Sequence, residues 1–348
     1  MVSSLHRRGQ IRLQLGFQRG HAGIVAYPQL LGTALGCHHR PMGIGKAVVG
    51  TAALGAAGLA YAYWEAQHFT VRRVEITVLP LGQPDLRILH LSDMHFVPGQ
   101  SKKHLWLQSL RDLEPDLVVV TGDFLADVDA IPHVLDSLDP LFDLPGAFVL
   151  GSNDYFAPRP LNPFLYFQSP TQLEPTRPML PWQDLVDGLS DMGWQDLTNA
   201  SATIKADGRA LELRGVDDPH ISRDRYQDVA GPFDASADLS IGVVHAPYKR
   251  VLNGFVGDGA DLVLAGHTHG GQLRLPGYGA LVTNCDLDRK AARGLSTYEF
   301  HDGEDDLKAV PLHVSAGCGT SPYAPFRFAC RPEATLLTLT APWSSALR

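Results

Sequence analysis

Apolar residues fall in short unbroken runs along most of this chain, and each run closes on a polar tip. Leu86-Arg87-Ile88-Leu89-His90-Leu91 ends in Ser92-Asp93-Met94-His95. Asp116-Leu117-Val118-Val119-Val120 ends in Thr121-Gly122-Asp123, and Gly146-Ala147-Phe148-Val149-Leu150 ends in Gly151-Ser152-Asn153-Asp154. Such runs predict strands covered on both faces. Helical stretches separate them, near Lys103 to Leu113 and Val128 to Leu138. Strand, polar tip and helix, repeated, predict an α/β domain whose ligand site lies beyond the carboxyl ends of the strands.

The pattern continues downstream. Val74 to Leu79 alternates and predicts an opening strand. Trp182 to Met192 predicts a helix. Strands are expected near Ala202 to Lys205 and Ala210 to Val216, the second running into Asp217-Asp218-Pro219-His220. Leu239 to Val244 is tipped by His245. Asp261 to Ala265 leads into Gly266-His267-Thr268-His269-Gly270-Gly271-Gln272, where glycines allow sharp turns around two imidazoles. Leu295 to Phe300, Pro311 to Ser315 and Thr335 to Thr340 are expected in a second sheet. Residues 156–181 are rich in proline and aromatics; they read either as a lid beside the site or as a packed surface loop.

The amino-terminal region is different. Residues 1–41 are basic and histidine-rich without periodicity, and are expected to be disordered or a leader, with Met42 an alternative start. The 18 residues Ala47 to Trp64 carry no charge. A membrane span needs about 17–25 predominantly apolar residues. Tyr61, Tyr63 and Trp64 suit an interfacial belt, and Arg40 and Lys46 put the amino terminus in the cytoplasm, with the remaining chain outside. Arg72 and Arg73 blunt that bias. A signal cleaved at Ala60-Tyr61-Ala62, giving an exported protein, and a buried Ala/Gly helix are the competing readings. The expected division is 1–41 leader, 42–69 transmembrane anchor or signal, and 70–348 catalytic domain.

Composition narrows the function. Of 348 residues, 45% are hydrophobic and 19% charged, enough for a large core. A net charge of −8 argues against a nucleic-acid partner. Cys37, Cys285, Cys318 and Cys330 show no zinc spacing and read as structural thiols; an exported domain leaves a Cys318–Cys330 disulfide open.

The tips collect Asp93, His95, Asp123, Asn153, His245, His267 and His269. Singly, each has an ordinary role: Asp as a helix cap, Asn in a turn, His as a hydrogen-bonded residue. Together they predict a metal site. Carboxylate, imidazole and amide without thiolate favour manganese, iron or zinc. One ion needs fewer ligands, so two divalent ions are expected, with Asp123 as the bridge. Such a pair activates a shared water and clamps the oxygens of an in-line displacement, the chemistry of phosphoester hydrolysis.

The order Asp93-x-His95, Gly122-Asp123, Gly151-Ser152-Asn153-Asp154, His245, Gly266-His267-Thr268-His269 resembles the calcineurin-like metallophosphoesterase superfamily. Ser315-Ala316-Gly317-Cys318-Gly319-Thr320-Ser321 and Arg331-Pro332-Glu333 are similar to its YaeI- and YkuE-like, membrane-associated bacterial branch. The resemblance implies two mixed β-sheets packed face to face and flanked by helices. It implies one metal on Asp93, His95, Asp123 and His269, and another on Asp123, Asn153, His245 and His267. One motif departs: the family has Gly-Asn-His-Asp where this chain has Gly151-Ser152-Asn153-Asp154. The shifted alignment, preferred here, keeps Asn153 as ligand, but the histidine that assists the leaving group is missing. Asp154 and His220 are the candidates to replace it. Arg327 is expected to hold a phosphate oxygen or to sit in a surface ion pair. The implied function is hydrolysis of a phosphodiester or pyrophosphate, lipid-linked or envelope-derived, without an obligate protein partner. The alternative is a non-catalytic, membrane-anchored metal- or phosphate-binding protein.

Overall fold

The computed structural model describes residues 44–160, 177–275, 277–301, 303 and 307–342. In chain order the strands are β1 (Thr70–Thr77), β2 (Leu86–Leu91), β3 (Leu117–Thr121), β4 (Gly146–Val149), β5 (Gln195–Asp196), β6 (Ala200–Ala206), β7 (Arg209–Gly215), β8 (Leu239–Val244), β9 (Leu262–Ala265), β10 (Arg274–Leu275), β11 (Gly279–Ala280), β12 (Gly294–His301), β13 (Leu307–Val314) and β14 (Glu333–Thr340). The α-helices are α1 (Ile44–Ala66), α2 (Ser101–Gln108), α3 (Ile131–Leu138), α4 (Ser152–Tyr155), α5 (Trp182–Asp191) and α6 (Lys249–Asp258).

Two six-stranded sheets form the centre, in the orders β1-β14-β2-β3-β4-β5 and β12-β13-β9-β8-β7-β6. Both are mixed. In the first, β2, β3, β4 and β5 run parallel, while β14 is antiparallel to β2 and parallel to β1. In the second, β7, β8, β9 and β13 run parallel, with β6 and β12 antiparallel at the edges.

Three apolar layers hold the sheets and helices together. Ile88, Val119 and Leu337 of the first sheet meet Leu213, Ile241 and Leu264 of the second. Leu89, Val118 and Phe148 pack on Val134, Leu138 and Leu185 from α3 and α5. Val244, Val263 and Leu312 pack on Val251, Leu252 and Phe255 of α6. Each such side chain contributes about 1.5–3 kcal/mol by leaving water. The central strands are therefore apolar on both faces, the pattern visible in the sequence.

Three expectations change. Thr335 to Thr340 belongs to the first sheet, not the second: β14 lies between β1 and β2. The helix near Lys103 to Leu113 is α for one half, Ser101–Gln108, and tightens to a 3-10 turn over Ser109–Leu113. No disulfide joins Cys318 to Cys330; both thiols are buried and free, donating to Glu333 O at 3.3 Å and His269 O at 3.3 Å respectively. Residues 1–43, with Cys37, lie outside the described residues, as do 161–176, where most of the expected lid falls.

The uncharged run Ala47 to Trp64 lies within the helix α1. Among the described residues no helix is long and apolar enough to cross a membrane. Gly50, Gly55, Gly58 and the many alanines dilute the hydropathy of α1, and the side chains of 44–48 are outside the described set. Along the helix Val49, Leu54 and Leu59 are exposed, at 68%, 76% and 59%. Its last turns are anchored: Ala62 O accepts from Arg327 N at 2.9 Å, and the buried Glu65 carboxylate accepts from Ala329 N at 3.0 Å and Cys330 N at 2.8 Å.

Candidate metal centre

The strand tips converge. Asp93, His95, Asp123 and His269 each turn a ligand atom into one space, these atoms lying within 4.8 Å of one another. His95 Nε2 is 3.1 Å from His269 Nε2, and His269 Nε2 is 3.4 Å from Asp93 Oδ1. A second imidazole pair stands beside the first, with His267 Nδ1 at 3.3 Å from His245 Nε2. Asp123 lies between the pairs, its Oδ2 3.5 Å from His95 Nε2 and 3.5 Å from His245 Nε2. Asn153 closes the second group, its side-chain amide donating to Asp123 Oδ2 at 2.8 Å and its backbone N–H to Asp123 Oδ1 at 2.8 Å. An amide's O and N are assigned from hydrogen bonding, so the same placement with the amide turned offers a carbonyl oxygen.

The backbone is bent to make this happen. Asp93, His95, Asp123, His267 and His269 have φ of 50°, 45°, 57°, 68° and 49°. Left-handed conformations cost non-glycine residues roughly 1–3 kcal/mol each and gather at functional sites. Glycines admit the close approaches. A Cβ on Gly266 would stand 1.9 Å from Ser92 Oγ, and one on Gly151 would stand 2.3 Å from Asp123 Oδ1.

The electrostatics fit cations. Burial, with neighbouring imidazoles, holds His267 and His269 well below the ordinary histidine range, and burial brings His95 to about 4. These three are neutral and carry lone pairs. Burial lifts Asp93 to about 6. Burial works against charge on Asp123 as well, yet His245 and His95 outweigh it and hold that carboxyl well below its usual value. For His245, burial is outweighed by Asp123 and Asp218, which raise it well above normal. Asp93 Oδ1 and His95 Nδ1 are buried with no hydrogen-bond partner. Buried polar atoms are ordinarily satisfied, so an orphaned carboxylate oxygen grouped with the His95 and His269 imidazoles fits a divalent ion.

The calcineurin-like phosphoesterase family pattern matches residues 86–271, which spans β2 through the Gly-His-Thr-His-Gly-Gly turn. This chain belongs to that family. Curated relatives include the uncharacterized metallophosphoesterase YkuE of Bacillus subtilis, 25% identical over 312 residues that cover 84% of this chain and 95% of YkuE. The phosphodiesterase YaeI of Escherichia coli is 26% identical over 287 residues, 80% of this chain and 90% of YaeI. A transmembrane protein with metallophosphoesterase domain from Danio rerio is 30% identical over 246 residues, 65% of this chain and 50% of the fish protein. The chain is a metallophosphoesterase.

Within this phosphoesterase two of three sequence-selected residues take unexpected positions. Asp154 does not face the open side of the site. Its Oδ2 accepts from the backbone N–H of Asp123 and Gly151, both at 2.9 Å, and its Oδ1 from Phe124 at 2.7 Å and Leu125 at 3.0 Å. Those donors occupy both oxygens, so the residue clamps two strand tips together and has nothing left for a leaving group. Burial and the Asp123 charge push it up to about 7, against the pull of these N–H groups.

Arg327 is fully buried rather than at the surface. Its Nη2 donates to Gly319 O at 2.6 Å, Gly317 O at 3.3 Å and His269 Nδ1 at 3.2 Å, and its Nη1 donates to Cys330 O at 3.4 Å. These partners fix it behind His269, away from any phosphate. Arg327 can only donate, so His269 Nδ1 accepts in this contact.

His220 is the one of the three that is not fully buried. It is half-buried, its ring centroid 4.5 Å from that of His267, and its Nδ1 is 3.1 Å from Tyr248 Oη. Burial, then His245, lowers it to about 4, so it is neutral at neutral pH.

Sequence reading passed over several supporting groups. Asp218 is fully buried with Oδ2 unpartnered, and burial lifts it to about 7 next to His245. It closes β7 as Asp93 closes β2, so the strand-tip rule itself would have found it. Lys103 is buried under the Asp93–His95 turn, donating to Met94 O at 2.5 Å and lying 5.0 Å from the Phe96 ring centroid. His90 links the two sheets, its Nδ1 2.8 Å from His313 Nδ1 and its Nε2 3.0 Å from Thr121 Oγ1. Thr121 O in turn meets His245 Nδ1 at 2.6 Å. No motif marks these two, because each lies inside an apolar strand.

Proposed function

We propose that this chain hydrolyses phosphodiesters with two divalent ions, one held by Asp93, His95, Asp123 and His269 and the other by Asp123, Asn153, His245 and His267. The observation that carries this reading is the station of Asp123 Oδ2, equally 3.5 Å from His95 Nε2 and His245 Nε2. A carboxylate oxygen midway between two imidazole pairs suits a bridging ligand. When bound, such ions supply positive charge that activates water and steadies a phosphoryl group.

The chain's own residues do the rest. Asp154 keeps the Asp123 and Asn153 turns at fixed spacing. Thr121 O accepts the Nδ1 proton of His245, which leaves Nε2 free as a donor atom for metal. With the Tyr248 hydroxyl as donor to His220 Nδ1, His220 Nε2 keeps the ring proton and offers it to the leaving oxygen. This assigns to His220 the role that the missing motif histidine holds elsewhere in the family.

The membrane is the site of action in this reading. Exposed Val49, Leu54 and Leu59 on α1, with Tyr61, Tyr63 and Trp64 at its carboxyl end, suit a helix immersed in lipid with an interfacial belt. The printed name of the fish relative, a transmembrane protein, agrees. The catalytic domain then faces outside the cytoplasm, against lipid-linked or envelope phosphoesters.

The test is hydrolysis of bis-nitrophenyl phosphate by full-length protein loaded in turn with manganese, iron and zinc. Turnover that needs the metal and disappears in Asp123→Asn supports the reading. Bound metal without turnover on diesters, monoesters or pyrophosphate would establish the non-catalytic binder instead.

A further inference from the structure

A pocket of about 510 Å³ opens where α1 meets the edge strand β1, lined by Glu65, Arg72, Arg73, Arg293 and Arg331 among others. Four arginines are among the lining residues, and two of them are spent on a buried carboxylate. Arg72 Nε and Arg293 Nη2 both pair with the buried Glu333, the second at 2.8 Å. The Glu65 carboxylate is occupied by the backbone N–H groups of Ala329 and Cys330. Among the described residues Arg73 and Arg331 make no ion pair and are exposed. Arg331 has its guanidinium 5.8 Å from the Trp64 ring centroid. Arg73 and Arg331, neither in an ion pair, therefore line a concave site together with the Glu65 carboxylate, beside three exposed aromatic rings at the end of a helix whose apolar side chains face outward.

Guanidinium groups prefer phosphate, which they bind with paired hydrogen bonds. Exposed aromatics beside cations mark the headgroup level of a bilayer. We propose that this pocket binds the phosphate of an anionic phospholipid headgroup and so seats the domain against the membrane surface. The proposal rests on the membrane reading of α1 given above. It also gives a use to Arg73, which stands on the side of α1 where the charge rule for membrane helices does not ask for it.

The experiment uses the full chain and its Arg73→Gln/Arg331→Gln variant. Arg72 and Arg293 stay in place because they neutralise Glu333. Both proteins are floated with vesicles of phosphatidylcholine alone and of phosphatidylcholine mixed with phosphatidylglycerol. The expected result is that both bind neutral vesicles alike, that wild type binds the anionic vesicles more tightly, and that the variant loses roughly thirtyfold on the anionic vesicles, as removal of two arginines from an anionic surface implies. The basic residues 1–41 are the same in both proteins, so they cannot produce the difference. An unchanged melting temperature shows that the variant is folded. Equal preference for anionic vesicles in both proteins overturns the pocket while leaving α1 as the anchor. Competition by inorganic phosphate at the affinity shown for vesicles overturns the lipid assignment in favour of a free phosphate site. Wild type that floats with neither vesicle overturns the membrane reading, and the pocket proposal with it.

Discussion

Asp123 and Asp154 show how two carboxylates one turn apart in space take different work. Asp123 lies between the His95 and His245 imidazoles and stays ionised; Asp154 faces backbone N–H groups and organises the turns that hold Asp123. Asp154→Ala strands buried donors, each worth about 1–3 kcal/mol when left unpaired. It is expected to lower stability by more than about 3 kcal/mol and to weaken metal binding, as read by denaturant melts and calorimetry; a stable variant with intact metal affinity would contradict the clamp. His220→Ala is expected to slow alkyl diesters by about a hundredfold while sparing nitrophenyl esters, because only a poor leaving group needs a proton. Equal slowing on both would remove His220 from that role. The protonation pattern fixes a pH dependence too. Asp93, raised to about 6, must lose its proton to bind a cation, and so must His245, raised well above its normal value. Metal affinity is therefore expected to fall with falling pH, starting above the ordinary histidine range where His245 takes its proton and steepening through about 6 where Asp93 does, with proton release on binding measurable by titration in buffers of different ionisation enthalpy. The seven candidate ligands were legible because each closes an apolar run. The functions first given to Asp154 and Arg327 were not, since sequence order cannot show whether a side chain turns toward the pocket or toward the backbone behind it.

At the scale of elements, α1 is joined to the metal centre by a short relay. Glu65 and Ala62 hold the segment Arg327–Cys330, Arg327 holds His269, and Cys330 Sγ donates to His269 O. Glu65→Ala removes a buried carboxylate from two N–H groups, a loss of about 2–3 kcal/mol by the usual strength of charge-assisted bonds. Supporting contacts to metal-ligating histidines usually carry about a tenfold to hundredfold effect on affinity. The variant is thus expected to bind metal at least about tenfold more weakly, measured by competition with a chelator. Unchanged affinity would make α1 a mere tether. None of this was readable from the chain, where Glu65 and Arg327 are 262 positions apart. The strands themselves were plain, as at β3 and β9, where burial on both faces forces continuous apolar runs. β14 was misassigned because alternation sets a strand's faces and not its neighbours.

Across the whole molecule, two mixed sheets bring loops from distant parts of the chain to one edge, and the site exists only when both sheets are in place. Asp93, Asp123 and Asn153 follow the first sheet; His245, His267 and His269 follow the second. Ions binding between them therefore link the two sheets, and their removal is expected to lower the melting temperature. A ligand at a hundred times its dissociation constant adds about 2.7 kcal/mol to stability. A chelator that leaves the melting temperature unchanged would argue against metal across the sheets.

The most direct test of the account is a crystal of metal-loaded protein measured at the absorption edge of manganese, iron or zinc, with elemental analysis of the same preparation. The account predicts two anomalous peaks per chain on opposite sides of Asp123, about 3.5–4 Å apart as in two-metal hydrolases. A single peak, or none at any loading, would contradict it.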